Sequence, residues 1–368
     1  MGSKAVGRSA SHRASIRRVV VDGTQRVGAF VALPELIRQV GGDAPAALAS
    51  VGLAPDALAN PENRILFTAV GRLLHEVAES TRCAHFGLLV GRMWHLRDMG
   101  TAGEIMANSP TVGIALRKWT LYQHLNSDSV APFVRETAGI VDIGPLIYES
   151  GLPGVDQLCN TYLAAIVNDM QDLCGTDWKP SAAYLPYSRP ADITYHRHIL
   201  KVQPHFDAEF TALRFPAHWM QLKVRNAEPS RLRAAEQRAA TIGPPKIVQQ
   251  VCRALRRQLL TGDDSGDAIA QSLSLHRRTL NRRLTEENTT FQFVLDQIRF
   301  DLACQLLAYS DISLDDVAAS LGYAGVSPFM RSFHRLAGMS PGRWRRTFGA
   351  RERKARVPSF RARLDRAA

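Results

Sequence analysis

The sequence predicts an α+β amino-terminal domain followed by an all-α carboxy-terminal domain, in which two helix-turn-helix units are joined by a linker helix. The main observation is a repeat in the last third of the chain, where Asp267–Leu275 aligns with Asp315–Tyr323 at an offset of 48 residues. A second is periodicity: apolar spacing is mixed up to about residue 246 and almost entirely helical beyond it. A third is charge, because residues 241–368 hold 21 Lys and Arg against 12 Asp and Glu, which is +9 of the net +12.

The 368 residues are enough for two domains, each with its own core. The composition changes at a polar, Ala- and Arg-rich stretch, and Gly243-Pro244-Pro245 after it breaks any helix. The predicted segments are a disordered basic tail (1–26), an α+β domain (27–230), a linker (231–246), a double helix-turn-helix domain (247–348) and a second basic tail (349–368).

Local patterns predict the elements of the first domain. Alternating apolar residues around Thr137-Ala-Gly139 favour a hairpin over Pro132–Glu149. Ser109 and Pro110 form a helix start, with Ser109 as the N-cap. The remaining predictions are helices over Arg64–Val77, Thr111–Tyr122 and Val155–Leu173, and strands near Ala182–Tyr187 and Phe210–Phe215.

Each copy of the repeat carries the signals of two short helices joined by a tight turn. Ser265 and Ser313 stand at N-cap positions. Ala270 and Ala318 are small where the two helices of a unit must approach closely. The second turn holds Gly322, a residue suited to a left-handed backbone, where the first has Ser274 at a cost of up to about 1 kcal/mol.

We expect the second helix of each unit, about Arg277–Leu284 and Val326–Arg335, to contact DNA bases. Arginine binds guanine and asparagine binds adenine through paired hydrogen bonds. Apolar residues at i and i+4 are expected to face inward: Leu280, Leu284, Phe329 and Phe333. The predicted base-reading residues are Arg277, Arg278, Asn281 and Arg282 in the first unit, and Val326, Ser327, Pro328 and Arg331 in the second.

Two further helices support these units. One begins at Thr289–Gln292 and presents an apolar face (Val294, Ile298, Leu302, Leu306) that is expected to join the units rigidly. The other begins at Ser340-Pro341 and places Trp344 beneath the second unit. Arg343, Arg345 and Arg346 near its end are candidates for phosphate contacts, with an ordinary solvated surface as the alternative.

Other chemistry has little support in the sequence. Five cysteines without a CxxC pair predict reduced thiols in a cytoplasmic protein, with no metal and no cofactor. His196 and His198 are expected on one face of a strand, with His205 and His218 nearby, but no acidic partner accompanies them. No apolar run approaches the ~20 residues that cross a bilayer, so we expect no membrane partner.

Six aromatic residues of the first domain are candidates for lining an effector pocket: Trp94, Trp119, Tyr122, Tyr148, Tyr162 and Trp178. A simple core role is the alternative for each of them. Cys159 and Cys174 lack a nearby base, which argues against an enzyme fused to a DNA-binding domain.

Residues 250–348 resemble the DNA-binding domain of the AraC/XylS transcription regulators. The resemblance rests on Leu314–Tyr323, on Phe329-x-Arg331-x-Phe333, on Gly338-Met-Ser-Pro341 and on Arg278-Thr-Leu-x-Arg-Arg-Leu284. It implies that Arg278, Asn281 and Arg282 of the first unit, and Val326, Ser327, Pro328 and Arg331 of the second, contact bases. Ser274 in place of the usual Gly and Val326 in place of a polar reader are departures from the family pattern.

Residues of about 30–230 resemble the arabinose-binding-like domain of ornithine-utilisation and virulence regulators. The segments that carry this resemblance are His85–Gly91, Asn108–Arg117 and Phe215–Trp219. It implies a homodimeric, effector-responsive activator that contacts double-stranded DNA and RNA polymerase. The alternatives are a regulator whose first domain only dimerises, and a weakly specific architectural DNA-binding protein.

Overall fold

A computed structural model describes residues 23–147, 152–208, 210–242, 247–258, 264–309 and 312–346. Seven strands lie within these ranges: β1 (Thr24–Arg26), β2 (Arg64–Leu66), β3 (Val130–Thr137), β4 (Ile140–Ile147), β5 (Ala182–Tyr184), β6 (Pro204–His205) and β7 (Ala212–Pro216). The helices of the same domain are α1 (Leu33–Gln39), α2 (Ala44–Ser50), α3 (Phe67–Ser80), α4 (Phe86–Arg92), α5 (Gly100–Ala107), α6 (Val112–Tyr122), α7 (Val155–Cys174), α8 (Thr194–Leu200) and α9 (Pro229–Ile242).

The larger sheet has the strand order β3-β4-β7-β5-β6, and β5 and β6 form its parallel pair. The predicted hairpin is confirmed as β3 and β4, joined through Ala138 and Gly139 at φ 50° and 79°. Positive φ at both central residues is the turn geometry that matches the twist of paired strands. The inward side chains of β4 and β7 (Val141, Ile143, Leu213, Phe215) are fully buried and share one core with α7.

Helix α7 is the central element of this domain, and two glycines of α4 allow it to pack closely. A Cβ at Gly87 would lie 2.1 Å from the carbonyl oxygen of Gln157, and one at Gly91 would lie 2.2 Å from that of Thr161. Only glycine accommodates this approach. Asn168 of α7 then donates hydrogen bonds to the carbonyls of Arg92 (2.9 Å) and Trp94 (2.8 Å), which fixes the segment that follows α4.

Two predicted boundaries in the first half of the domain are wrong. Ile65 and Leu66 do not begin a helix but lie in β2, where Ile65 pairs with Gln25 of β1. The N-cap of α6 is Thr111, whose hydroxyl accepts a hydrogen bond from the amide of Ile114. Ser109 is buried, and its hydroxyl instead donates to the carbonyl of Ile105 in the preceding helix.

Most of the predicted linker, 231–246, is helical, because residues up to 242 form α9. Ala235 and Ala239 of α9 are buried against Ala102 and Ile105 of α5. Ion pairs Lys118–Glu236 and Arg238–Glu104 flank this contact. Alanines every four residues form a narrow apolar stripe, which is enough to dock a helix that is otherwise polar.

At the other end, residues 24–26 of the predicted tail form β1, and residues 1–22 lie outside the described ranges, as do 347–368.

The carboxy-terminal domain is helical, as predicted. Its helices are α10 (Ile247–Gln258), α11 (Gly266–Ser272), α12 (Arg277–Glu286), α13 (Phe291–Tyr309), α14 (Leu314–Ser320), α15 (Val326–Ala337) and α16 (Pro341–Trp344).

Helix α13 joins two small cores, as its apolar face predicts. Val294 and Ile298 pack with α10, α11 and α12. Leu306 packs with α14, α15 and α16, and Leu302 between them contacts both cores. Trp344 lies against Phe300 and Phe333, so the last helix closes the second core from below.

Candidate nucleic-acid interface and sensor cavity

The two helix-turn-helix units have the same local structure. The amide of Leu275 donates to the carbonyl of Ala270 (2.9 Å), and the amide of Tyr323 donates to that of Ala318 (3.0 Å). The second hydrogen bond lies 48 residues after the first, which is the offset of the sequence repeat. The hydroxyls of Ser265 and Ser313 accept the predicted capping hydrogen bonds from the amides three residues later.

The turn between the helices needs a left-handed residue in both units. Gly322 has φ +69°, and Ser274 has φ +55°. The strain expected for Ser274 is therefore present in the first unit. The inward residues Leu280, Leu284, Phe329 and Phe333 are at most 2 % exposed, which fixes the outward faces of α12 and α15.

On α12, the predicted base-reading residues Arg278, Asn281 and Arg282 are exposed. Arg282 forms an ion pair with Glu286 one turn later, at 2.7 Å. Exposed pairs of this spacing are worth only about 0.3–0.5 kcal/mol, so a DNA phosphate or base competes with Glu286 easily. This face therefore presents an amide and two guanidinium groups to solvent.

Arg277 departs from the prediction, because its side chain turns back onto its own unit. Its guanidinium lies 4.3 Å from the ring centroid of Phe291 and against the backbone of Gly266. Nη1 is buried and has no hydrogen-bond partner among the described residues. Arg277 begins α12, where its side chain reaches the first turn of α11, and stacking on Phe291 keeps it there.

On α15, Ser327 and Arg331 are exposed, whereas Val326 and Pro328 are half-buried. Arg335, one turn after Arg331, is held by Asp296 of α13 at 2.5 Å. Among the described residues Arg331 has no competing ion pair, whereas Arg335 has one, and Ser327 lies one turn before Arg331.

The three candidates for phosphate contacts separate into two kinds. Arg343 and Arg346 are exposed. Arg345 is half-buried, and its Nη2 donates to the carbonyl of Ile312 at 2.6 Å. Its predicted phosphate contact is therefore not supported: α16 directs this side chain to the segment before α14, where it satisfies a free carbonyl.

Arg299 of α13, which the sequence analysis did not single out, connects the two units. Its Nη2 contacts the carboxylate of Asp264, just before α11, at 2.6 Å and the carbonyl of Gly322 at 3.0 Å. Its guanidinium also lies 4.9 Å from the ring centroid of Tyr323. One side chain thus bridges the start of the first unit and the turn of the second. Its partners are 35 and 23 residues away, a separation that gives no signal in the sequence.

In the first domain, a partly enclosed cavity of about 40 Å³ lies between helices. Helix α7 supplies one wall with residues at helical spacing: Leu158, Thr161, Tyr162, Ala165, Ile166 and Asp169. Trp94, Trp119 and Phe30 are among the aromatic residues opposite. Three of the predicted pocket residues, Trp94, Trp119 and Tyr162, therefore line one space.

Polar atoms in this cavity lack partners. Asp169 is 5 % exposed and Asn126 is 2 % exposed. Oδ1 of Asp169 and both amide atoms of Asn126 are buried without a hydrogen bond among the described residues. Burial first, and then the negative charges of Asp172 and Asp98, raise the pKa of Asp169 well above its ordinary value. Buried polar groups are normally paired, so these atoms indicate a place for a missing polar ligand or water.

Sequence reasoning missed Asp169, although a signal existed. The residue interrupts the apolar stripe of α7 between Ile166 and Leu173. A carboxyl on a buried helix face needs a partner. The helical period of the apolar residues predicts α7 but does not distinguish Asp169 from an exposed polar residue.

The other predicted pocket residues lie elsewhere. Tyr122 does not line the cavity but packs beside Ala235 and Ala239 of α9. Trp178 is fully buried and stacks edge-on against Phe215 beneath the sheet. Tyr148 lies outside the described residues.

The histidines predicted to share a strand face lie on helix α8. Residues two apart on a helix point in nearly opposite directions, so His196 is buried and His198 is exposed. His196 shares a hydrogen bond with the hydroxyl of Tyr187 (3.0 Å), and burial lowers its pKa to about 4. The described residues contain no group of three or more His, Cys, Asp and Glu side chains placed to hold a metal ion.

The two cysteines considered as nucleophiles are protonated at neutral pH. Burial raises the pKa of the Cys159 thiol to about 11 and that of Cys174 to about 12. Nucleophilic cysteines need the opposite shift.

Comparison with known proteins identifies both domains. The model of the arabinose-binding amino-terminal domain of AraC transcription regulators matches residues 41–224, which is half of the chain. A helix-turn-helix domain model matches residues 269–347. The chain belongs to the AraC family of transcription regulators.

Similar curated proteins match along most of the chain. The transcriptional regulator VirS of Mycobacterium tuberculosis is 24% identical over 84% of this chain and 93% of its own length. The ornithine utilization regulator of Pseudomonas aeruginosa is 24% identical over 85% and 94%. The solved structure of the regulator CdpR from Pseudomonas aeruginosa aligns with a TM-score of 0.41 at 22% identity, over 85% of this chain and 97% of that chain. VirS and the ornithine utilization regulator are transcription regulators, and with both family models matched this protein is a DNA-binding transcription regulator. Within the ranges that the structure describes, no helix is long and apolar enough to cross a bilayer.

Proposed function

We propose that the protein is an effector-responsive regulator whose first domain binds a small molecule in the cavity beside α7. The observation that carries this proposal is the pair of unpartnered side chains, Asp169 and Asn126, in a partly enclosed aromatic space. Ligand sites have this composition: apolar walls with a few polar groups that fix orientation. The alternative, a domain that only dimerises, offers no role for these atoms.

The elements around the cavity supply a route to the DNA-binding domain. Trp119 of α6 lines the cavity, and Tyr122, one turn later on the same helix, packs near α9. Lys118 of α6 also pairs with Glu236 of α9. Helix α9 ends at Ile242, and α10 begins only five residues later at Ile247. A ligand that shifts α6 would therefore shift the helix that leads into the DNA-binding units.

At the DNA, Arg278, Asn281 and Arg282 are proposed to read bases in one major-groove segment. Arg331, with Ser327, Val326 and Pro328 beside it, reads the next. Exposure and side-chain chemistry support this division, since guanidinium and amide groups make paired contacts with guanine and adenine. The first unit would bind mainly through charge and the second through one arginine and van der Waals contacts.

The remaining assignments rest on the family. We infer that the regulator activates transcription with RNA polymerase as its partner, and that it acts as a homodimer in the cytoplasm, where its DNA targets lie. The ornithine utilization regulator is similar along most of its length. Its name gives a metabolic role to that protein, and by likeness suggests regulation of a catabolic gene set here.

The proposal is tested by unbiased selection of genomic fragments with the full chain at near-physiological salt, with and without a fractionated metabolite extract. We expect a motif of two short blocks about one helical turn of DNA apart, of the order of 34 Å. We also expect one metabolite fraction to change the enrichment or the affinity. Sedimentation of the same samples reports whether the chain dimerises.

Two results would contradict parts of this proposal separately. Enrichment of a motif that no fraction alters would leave a regulator whose first domain only dimerises. Binding without any motif, in every fraction, would favour an architectural DNA-binding protein.

A further inference from the structure

The chemistry of the cavity indicates which class of molecule it binds. Its acidic group, Asp169, projects from the middle of α7 into a space whose described lining includes no Lys, Arg or His. Unlike the other buried acid of this domain, Asp142, which pairs with Arg135 and Arg214, it has no basic partner. The fold thus buries one carboxyl and provides no cation of its own to neutralise it.

The surrounding charges make a positive ligand more favourable. Asp172 lies one turn later on α7, and Asp98 lies in the segment Leu96–Met99; both act on Asp169 as negative charges. Two basic side chains of the neighbouring segments have other partners. His95 pairs with Asp172 at 3.2 Å, and Arg26 pairs with Glu62 and donates to the carbonyl of Asp98.

Aromatic rings complete the site. Trp94 and Phe30 meet edge to face with centroids 5.4 Å apart, and both line the cavity with Trp119 and Tyr162. Rings of this kind attract cations through their electron-rich faces, and indole does so most strongly. Asn126 adds an amide oxygen that can accept from an ammonium group.

We propose that the cavity binds a small organic cation, a protonated amine whose ammonium group pairs with Asp169 and Asn126 and whose alkyl part packs against Trp94 and Trp119. The inference rests on the proposed function, since it names the ligand class of the same site. A space of about 40 Å³ holds a few water-sized groups, which suits a short amine rather than a sugar or a long acyl chain.

Binding of an ammonium ion to Asp169 should release a proton. In the empty cavity, burial keeps the pKa of Asp169 high and favours the neutral acid. An ammonium ion binds the ionised form, so binding releases a proton, and affinity rises with pH until the pH passes the pKa of the empty site. A ligand that accepts a hydrogen bond from neutral Asp169 would release none.

The test compares three probes of similar size on the full chain: butylammonium chloride, 1-butanol and sodium butanoate, at equal ionic strength. Thermal unfolding and calorimetric titration report binding, and titration in two buffers of different ionisation enthalpy reports proton release. We expect butylammonium alone to bind, with release of a proton. The matched variants are Asp169→Asn and Asp172→Asn, which make the same substitution inside and outside the cavity.

Asp169→Asn should weaken butylammonium binding about 10- to 100-fold, the range of one charge-assisted hydrogen bond. Asp172→Asn should change it far less. Asparagine has the shape of aspartate and removes a buried carboxyl, so we expect the empty Asp169→Asn protein to be at least as heat-stable as the parent. If that variant fails to fold, proton release by the parent protein decides the question.

Binding of 1-butanol or butanoate in preference to butylammonium would overturn the cation class while leaving an effector site in place. Equal butylammonium binding by the parent and Asp169→Asn would also overturn it. If none of the probes binds at millimolar concentration, the inference is wrong; the proposed function then stands or falls on whether any metabolite fraction alters DNA selection.

Discussion

Arg331 and Arg335 lie one turn apart on α15 but differ in their ion-pair partners. Both are exposed, but Arg335 forms an ion pair with Asp296, and Arg331 forms none among the described residues. We expect Arg331→Ala to weaken specific DNA binding by about 1–3 kcal/mol and to relax one base position. Affinity for selected fragments and repeated selection with the variant measure both effects. Arg335→Ala is the matched control, and unchanged site preference in Arg331→Ala would remove Arg331 from the base-reading set.

Ser274 and Gly322 occupy the same left-handed position in the two units, with φ +55° and +69°. Ser274→Gly should stabilise the DNA-binding domain by up to about 1 kcal/mol, because it removes backbone strain. Gly322→Ala should destabilise it, since its Cβ would also lie 2.8 Å from Nη2 of Arg299. Calorimetric unfolding of both variants measures these opposite shifts. A lower melting temperature for Ser274→Gly would mean that the serine side chain contributes more than the strain costs.

Single residues also mark how far the sequence could predict the site. The buried residues Leu280, Leu284, Phe329 and Phe333 followed from i, i+4 spacing, because burial is periodic along a helix. Arg277 and Arg345 were wrongly placed outward. The direction of a long side chain at a helix end depends on neighbours such as Phe291 and Ile312, which spacing does not reveal.

At the scale of elements, Arg299 fixes how α13 holds the two units. We expect Arg299→Lys to weaken binding to a bipartite site by about 1–3 kcal/mol, because lysine keeps the charge but not the two directed contacts with Asp264 and Gly322. Selected sites should then tolerate a wider range of separations between the two blocks. Sequencing of selected fragments measures that range. Arg335→Lys alters one ion pair between α15 and α13 and no contact with the turn of either unit, so it should change the separation less.

Helix α9 provides a second test at this scale. Ala235 is buried against α5, whereas its neighbour Ala234 is exposed to solvent. Ala235→Leu should overpack the contact, at a cost of about 1–3 kcal/mol, and lift α9 from α5. Hydrogen exchange of α9 should speed up, and the response of DNA binding to an active metabolite fraction should be lost. The same change at Ala234 should do neither; a retained response in Ala235→Leu would exclude α9 as the connection.

Helix α9 also shows why the sequence did not predict some elements: their formation depends on packing. Its polar, Arg-rich sequence indicated a linker, and only the stripe of Ala235 and Ala239 against α5 makes it part of the domain. The start of α6 was misplaced by two residues, because Ser109 and Thr111 are both good caps and the packing of Ser109 decides between them. By contrast α7, α13 and the β3–β4 hairpin were predicted, since long periodic runs and a turn at Ala138-Gly139 encode them locally.

At the scale of the whole molecule, charge and ligand chemistry are divided between the domains. Residues 241–368 carry most of the net positive charge, which suits a polyanion. The first domain encloses an acidic, aromatic cavity instead. The two halves therefore differ in what they attract, and the docked α9 is the described element through which a ligand in one would affect DNA binding by the other.

This division predicts a steep dependence of DNA affinity on salt, because Lys and Arg contacts release counterions from phosphates. Among the described arginines near α16, Arg343 and Arg346 are exposed, and Arg345 is bound to the carbonyl of Ile312. The double change Arg343→Ala and Arg346→Ala should reduce the slope of log affinity against log salt by about 2, with equal loss on specific and random DNA. Arg345→Ala should leave the slope unchanged and lower the melting temperature instead. Fluorescence anisotropy titrations over a range of salt concentrations measure the slope. An unaltered slope in the double variant would show that these two arginines face solvent rather than phosphate.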